Sequence, residues 1–207
     1  MAVFRQCEIR EKYLAIYKES FDEVITYLEK AGALEPGVLR LTTIDDNAIR
    51  AWKSQWKGRS RKHAHGAWDW QNLVSKRARS CKRFDVAVWG EDVLCGLSVG
   101  KLTRGKKTVR MDYLEACPTA HPLEKRITMI VVAVALSVAK KVGAQHVAIF
   151  NPIKDKEEKV LKPLPVLRVY TKNVVWTLFE KRAVQRSCLI AMRREYDHVE
   201  QSRHLLS

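Results

Sequence analysis

The chain lacks an apolar run of membrane-spanning length. Its apolar stretch at 127–136 is flanked by Lys and Arg and falls short of the roughly 20 residues a spanning helix needs. Its opening residues, MAVFRQCEIREKY, lack the apolar segment of a signal peptide. Cysteine is scarce and unpatterned: Cys7, Cys81, Cys95, Cys117 and Cys188 are odd in number, widely spaced and form no CxxC pair. A disulfide framework and a structural zinc site are therefore not expected, and a reducing, cytoplasmic setting is. His63-x-His65 has no evident carboxylate or Cys partner, so no metal is expected either. Acidic residues are in the minority, 23 against 38 Lys and Arg, and the net charge of +15 points to a polyanionic or acidic partner without saying anything of fold.

What is present is a good core. At 207 residues and 46 % hydrophobic, the chain is expected to form one domain over 36–196, with a helical extension at 1–35 and a polar tail at 197–207. The organising stretch is 109–151. Residues 109–117 are rich in β-branched, aromatic and apolar types and stop at Cys117-Pro118, as a strand does. Pro122 suits the first turn of a helix, and 127–142 is apolar on nearly every side, closing with Lys140-Lys141-Val142-Gly143. Residues 146–150 (HVAIF) form a second buried strand. A helix apolar all round between two apolar strands is expected as a right-handed β-α-β crossover inside a mixed sheet. Its helix N-terminus then lies beside the carboxyl end of the first strand, an arrangement suited to phosphate.

In chain order, residues 8–31 repeat Ile9, Tyr13, Ile16, Tyr17, Phe21, Val24 and Leu28 at helical spacing before Gly32. This amphipathic helix docks on the main domain or, alternatively, forms a homodimer. Residues 38–42 predict a strand, and Asp45 an N-cap for a helix carrying Ala48, Ile49 and Trp52. Residues 84–117 predict a three-stranded antiparallel meander with turns at Gly90-Glu91-Asp92 and Arg104-Gly105-Lys106-Lys107. Beyond Asn151, Lys162-Pro163-Leu164-Pro165 ends any helix begun at Glu157, residues 166–170 are expected to start a new helix, and 176–181 with 187–193 a closing hairpin.

Between these elements, 53–83 carries ten Lys and Arg side chains against a single acid, Asp69, with tryptophans interleaved. Trp56, Lys57, Arg59, Arg61, Lys62, Trp68 and Trp70 are the candidates for contact with a nucleic acid or an acidic acceptor, since cations attract phosphates and exposed aromatics stack on bases. The competing reading makes Trp52 and Trp68 core anchors and the charges a solvated face.

The order strand, helix, meander, buried helix, strand, short helix and hairpin resembles the GCN5-related N-acetyltransferase (GNAT) superfamily. The resemblance is carried by VLRLTTIDDNAIRAW, by the meander ending in YLEAC, and by LSVAKKVGAQHVAIFNP as the second half of an acetyl-CoA motif. Leu167-Arg168-Val169-Tyr170, with Trp176 beyond, is similar to the family's Leu-Tyr-x-x-x-Gly-Phe segment with one residue added. The resemblance implies an α/β (α+β) fold with a mixed, mostly antiparallel sheet and acetyl-CoA as co-substrate. It further implies that the strand ending at Ala116 and Cys117 splays from its neighbour to pair with pantetheine, and that the loop after it holds the pyrophosphate. Lys125, Arg126, Ile127 and Thr128 fall in that loop, Arg126 and Thr128 standing where the family has glycines. Asn151 matches a pantetheine-binding position and Tyr170 the tyrosine whose hydroxyl protonates the departing thiolate.

By period two, Val109, Met111, Tyr113, Glu115 and Cys117 share a face. A carboxylate there needs water, a partner or a substrate, so Glu115 is the general-base candidate, with an ion pair to a neighbouring Arg or Lys as the alternative. Cys117 invites a covalent acyl mechanism only if His121 activates it. Two functions follow: an acetyl-CoA-dependent N-acetyltransferase whose acceptor is acidic or borne by a nucleic acid, or a non-catalytic GNAT-like binder of nucleic acid or an acidic protein.

Overall fold

The computed structural model describes residues 2–61, 66–78, 80–103, 105–150, 167–170 and 173–177. Its elements run α1 (Ala2–Lys30), β1 (Leu39–Thr42), α2 (Asp46–Gln55), α3 (Trp70–Arg77), β2 (Arg83–Gly90), β3 (Val93–Leu102), β4 (Thr108–Ala116), α4 (Ile127–Val142), β5 (His146–Phe150), β6 (Leu167–Tyr170) and β7 (Asn173–Thr177). The strands form one sheet in the order β1-β2-β3-β4-β5-β7-β6, antiparallel throughout except for β4 and β5, which run parallel and are joined through α4.

Period-two alternation sorts the side chains onto two faces. Phe84, Val86 and Val88 of β2 meet α1 and α4, while Ala87 and Trp89 meet α2 and α3. Helix α4 is apolar nearly all round because it is buried against both the sheet and α1. It ends at Gly143, whose φ of 72° lets the Ala144 N–H reach back to the Ala139 carbonyl at 2.8 Å. Helix α1 spends its stripe of Tyr13, Tyr17, Phe21, Val24 and Leu28 on this layer. It is fixed there by Glu23, which accepts from Ser137 Oγ at 2.8 Å and pairs with Lys141 at 3.3 Å. The expected N-cap at Asp45 is present, its carboxylate accepting from the Ala48 N–H at 2.8 Å.

Three expectations need correction. A helix not foreseen, α3, is capped by Asp69, which accepts from the Asn72 N–H at 3.0 Å. Residues 167–170, expected to begin a helix, form strand β6 on β7. The helix opens at Ile127 rather than at Pro122, which lies in a turn spanning 122–126. The segments at 157–165, 187–193 and 197–207 lie outside the described residues.

Candidate active site

Strand β4 organises the site through an irregularity. Val99 faces Tyr113 but Gly100 faces Met111, so Asp112 is an extra residue, a β-bulge. Gly100 makes the close approach possible, since a Cβ there would fall 1.8 Å from the Arg110 carbonyl oxygen. The bulge reverses the faces. Val109 and Met111 point to the α4 side, whereas Tyr113 and Cys117 join the α2–α3 side, where Glu115 meets Trp70. The single face expected for 109–117 is therefore broken in the middle.

The bulge also coincides with a fork. The parallel ladder between β4 and β5 runs from Thr108↔His146 to Met111↔Ile149 and stops. Strand β4 continues through Asp112–Ala116 on β3 alone, and among the described residues nothing pairs with its other edge. Just beyond Ala116 lies the opening of α4. The turn before it is tied by Arg126 N–H to Leu123 O at 3.1 Å and by Leu123 N–H to His121 Nδ1 at 3.2 Å. His121 is therefore held as the neutral imidazole, its pKa lowered by burial. The first helical bond of α4 is Ile130 N–H to Arg126 O, which leaves the amides of Ile127, Thr128 and Met129 ahead of it. The Arg126 side chain at the N-cap makes no cap bond to them. Lys125 is exposed with a φ of 64°, Thr128 is half-buried, and Arg126 reaches the Ala33 carbonyl at 3.3 Å. Ile127 lies against β3 where Gly96 leaves room, since a Cβ at Gly96 would sit 2.4 Å from Ile127 Cγ2. The opening of α4 thus offers first-turn amides, a positive dipole end and an exposed Lys125, the donor types a diphosphate takes, with Arg126 and Thr128 in place of glycine.

On the α2–α3 face Glu115 is 7 % exposed and fully engaged. Its Oε1 accepts from Arg61 Nε at 2.7 Å and from the Ala67 N–H at 2.9 Å, and its Oε2 from Trp70 Nε1 at 2.7 Å. Gly66, at φ 133°, brings the backbone close enough that a Cβ would lie 3.2 Å from Oε1. The ion-pair alternative for Glu115 is thus what the geometry contains, and the partner is Arg61. Arg61 also donates to the carbonyls of Trp56 and Arg59, at 3.0 and 2.9 Å, so it is not a free phosphate contact.

The tryptophans need a similar correction. Trp56 and Trp70 are wholly buried, Trp56 Nε1 donating to the Leu94 carbonyl at 2.9 Å, and neither offers a stacking face. Trp68 is half-buried, edge-on to Tyr113 with ring centres 5.2 Å apart. Lys57 and Arg59 are exposed.

Ala116 is exposed, while Cys117 is buried, its N–H donating to Cys95 O at 2.8 Å and its Sγ 3.2 Å from Thr119 Oγ1. Tyr170 lies opposite Asn173, which in turn lies opposite Phe150, so its backbone is at the end of the sheet where β4 and β5 part. Asn151, Lys62, His63 and His65 lie outside the described residues. Sequence reasoning missed Arg77 and Arg110, which meet Asp112 at the fork, and Phe150, whose ring lies under Arg110. The available signal was an aspartate in the middle of an apolar strand.

Compared by sequence, the chain matches no protein-family model and no curated protein. Compared by structure, it is similar to RimJ of Mycobacterium smegmatis in complex with CoA-disulfide, at 16 % identity and a TM-score of 0.53 over 76 % of this chain and 90 % of that one. A spermidine N-acetyltransferase SpeG chimera from Vibrio cholerae and hSSAT aligns at 11 % identity and a TM-score of 0.47, over 74 % of this chain and 99 % of that one. The PaiA N-acetyltransferase of Thermoplasma acidophilum, in complex with coenzyme A, aligns at 11 % and 0.42, over 67 % and 98 %. The fold is that of the GNAT proteins.

Proposed function

We propose that this chain is an acetyl-CoA-dependent N-acetyltransferase that transfers directly to an amine. The observation that supports this best is the fork: β4 and β5 part after Met111↔Ile149, and the edge of β4 left free from Asp112 runs through Ala116 toward the opening of α4. The similar RimJ structure is in complex with CoA-disulfide, which agrees with this reading. The five residues Asp112–Ala116 span about 16 Å at strand rise, the order of an extended pantetheine arm.

Acetyl-CoA would supply an activated acyl group. The chain's residues would do the rest. The amides of Ile127, Thr128 and Met129, helped by Lys125 and the Thr128 hydroxyl, would hold the pyrophosphate. The free edge of β4 through Ala116 would pair with the arm, and Asn151 would add a polar contact to it. The amine's lone pair attacks the acyl carbon, the C–S bond breaks, the amine loses a proton and the sulfur gains one. Tyr170, at the same end of the sheet, is the proposed donor to the sulfur. Glu115 acts as a positioning residue, since three donors already occupy it and tie Arg61, Ala67 and Trp70 to the sheet. Cys117, buried and engaged with Thr119, is not given a covalent role.

The exposed Lys53, Lys57 and Arg59 favour an acidic acceptor or one carried on a nucleic acid. The burial of Trp56 and Trp70 counts against a binder that works by stacking bases. The test is a thermal-shift titration with acetyl-CoA, in which saturable stabilisation following RT ln(1 + [L]/Kd) supports the proposal and none at millimolar ligand removes it.

A further inference from the structure

The bulged Asp112 carries an unusual balance of charge. Its carboxylate, 4 % exposed, meets Arg77 Nη1 from α3 at 2.7 Å and Arg110 Nε from its own strand at 2.5 Å. Among the described residues, one carboxylate against two guanidiniums leaves a positive charge over, and a guanidinium does not shed its proton in a protein. The Arg77 contact is a charge contact out of hydrogen-bond alignment, so the N–H fork of Arg77 is not consumed by Asp112. Both arginines are reachable, their side chains 25 % and 30 % exposed. Each lies over a ring: Arg77 is 5.7 Å from the centre of Tyr113 and Arg110 is 4.8 Å from that of Phe150. Phe150 is itself an exposed aromatic, and it follows directly on the last β4–β5 pair.

Two guanidiniums held near one counter-charge in a half-buried place repel each other, and a second anion between them would relieve that repulsion. We propose that Arg77 and Arg110 form an acceptor subsite for a carboxylate carried a few atoms from the reacting amine. This rests on the transferase reading above and deepens it. The subsite is distinct from the corner proposed for the pyrophosphate, because the length of β4 from Ala116 back to Asp112 separates them. It lies where a thioester laid along β4 would end. The surplus of one charge matches a monoanion such as a carboxylate better than a phosphate dianion, and guanidinium forks suit carboxylate geometry. Asp112 then sets the arginines' spacing, and the Phe150 ring gives the short carbon chain between amine and carboxylate an apolar surface.

The test uses a matched pair of amines, β-alanine and β-alaninamide, which differ in the carboxylate. Each is titrated into the CoA-saturated protein while the Arg77 and Arg110 Nε–H resonances are followed by NMR, with inorganic phosphate as a third arm. The expected result is saturable shifts of both resonances with β-alanine, at an apparent Kd at least ten-fold below that of the amide or of phosphate. Arg77→Gln and Arg110→Gln each should abolish the discrimination while stabilisation by acetyl-CoA stays as in the wild type. Equal responses to the two amines, a stronger response to phosphate, or no response would overturn the subsite. A wild-type protein that acetyl-CoA does not stabilise would instead overturn the transferase reading, whichever way the amines behave.

Discussion

Arg61 Nε lies 2.7 Å from Glu115 Oε1, across a separation of 54 residues in sequence. The pair is 13 % and 6 % exposed at its side chains, so neither charge is relieved by solvent. A carboxylate on β4 thereby pins the segment before α3 to the sheet, with the Ala67 amide and the Trp70 indole as further donors.

Removing one partner of such a pair should cost more than removing both. Glu115→Ala leaves a guanidinium, an indole N–H and a backbone N–H without their acceptor, and should destabilise the fold by about 3–5 kcal/mol. Glu115→Gln keeps an acceptor oxygen and should cost about half of that. In a double-mutant cycle with Arg61→Leu, urea denaturation should give a coupling above about 1 kcal/mol. Additive losses would mean that the ion pair contributes nothing.

The contact between β3 and the opening of α4 is equally specific. In Gly96→Ala the new methyl meets Ile127 Cγ2, which would lie 2.4 Å away without adjustment, and should cost about 1–3 kcal/mol through overpacking. Because the helix opening is what moves, acetyl-CoA affinity should fall with stability. Combined with Ile127→Ala, Gly96→Ala should cost less than in the wild-type background. An undiminished cost would place the strain elsewhere.

Burial pushes the Cys95 thiol up to about 11 from an ordinary value of 9.0. The unfolded chain therefore releases this proton first, and stability from Cys95 is whole below pH 9 and is lost as pH rises from there to about 11. A rise of that size corresponds to about 3 kcal/mol, so Cys95→Ala should flatten the alkaline limb of a stability-versus-pH curve by up to that amount. Tyr17, also raised by burial, adds a loss of the same sign at higher pH that Cys95→Ala leaves in place.

Trp56 and Trp70 should report burial rather than nucleic-acid contact. Trp70→Phe, which removes a donor from Glu115, should lower stability by about 1–3 kcal/mol with no change in any affinity for short RNA. Lys57→Glu with Arg59→Glu should weaken any such affinity and its salt dependence, because both side chains are exposed. A salt-insensitive loss on Trp70→Phe would restore the stacking reading.

The parts of the fold that rest on local periodicity were legible in the sequence. The meander, the apolar α4 with its Lys140, Lys141 and Gly143 stop, and the capped α2 are specified by residues close in the chain. What could not be read depends on distant partners. Asp112 is an insertion that only pairing with Val99 and Gly100 defines, and one such residue turned Glu115 to the face opposite Met111. Trp56 and Trp70 look the same in sequence whether they stack on a base or donate to Leu94 and Glu115. Of the nominated cofactor residues, Ile127 and Thr128 open α4 and Lys125 is exposed in the turn before it, a helix start that the sequence places at Pro122.

The most direct measurement is an amide NMR titration of the protein with coenzyme A. If the α4 opening holds the pyrophosphate and the β4 edge the arm, the largest shifts should fall on the N–H groups of Ile127, Thr128 and Met129 and on those of residues 112–116, saturating together. Binding that leaves these amides unmoved, or no saturable binding at millimolar coenzyme A, would contradict the assignment.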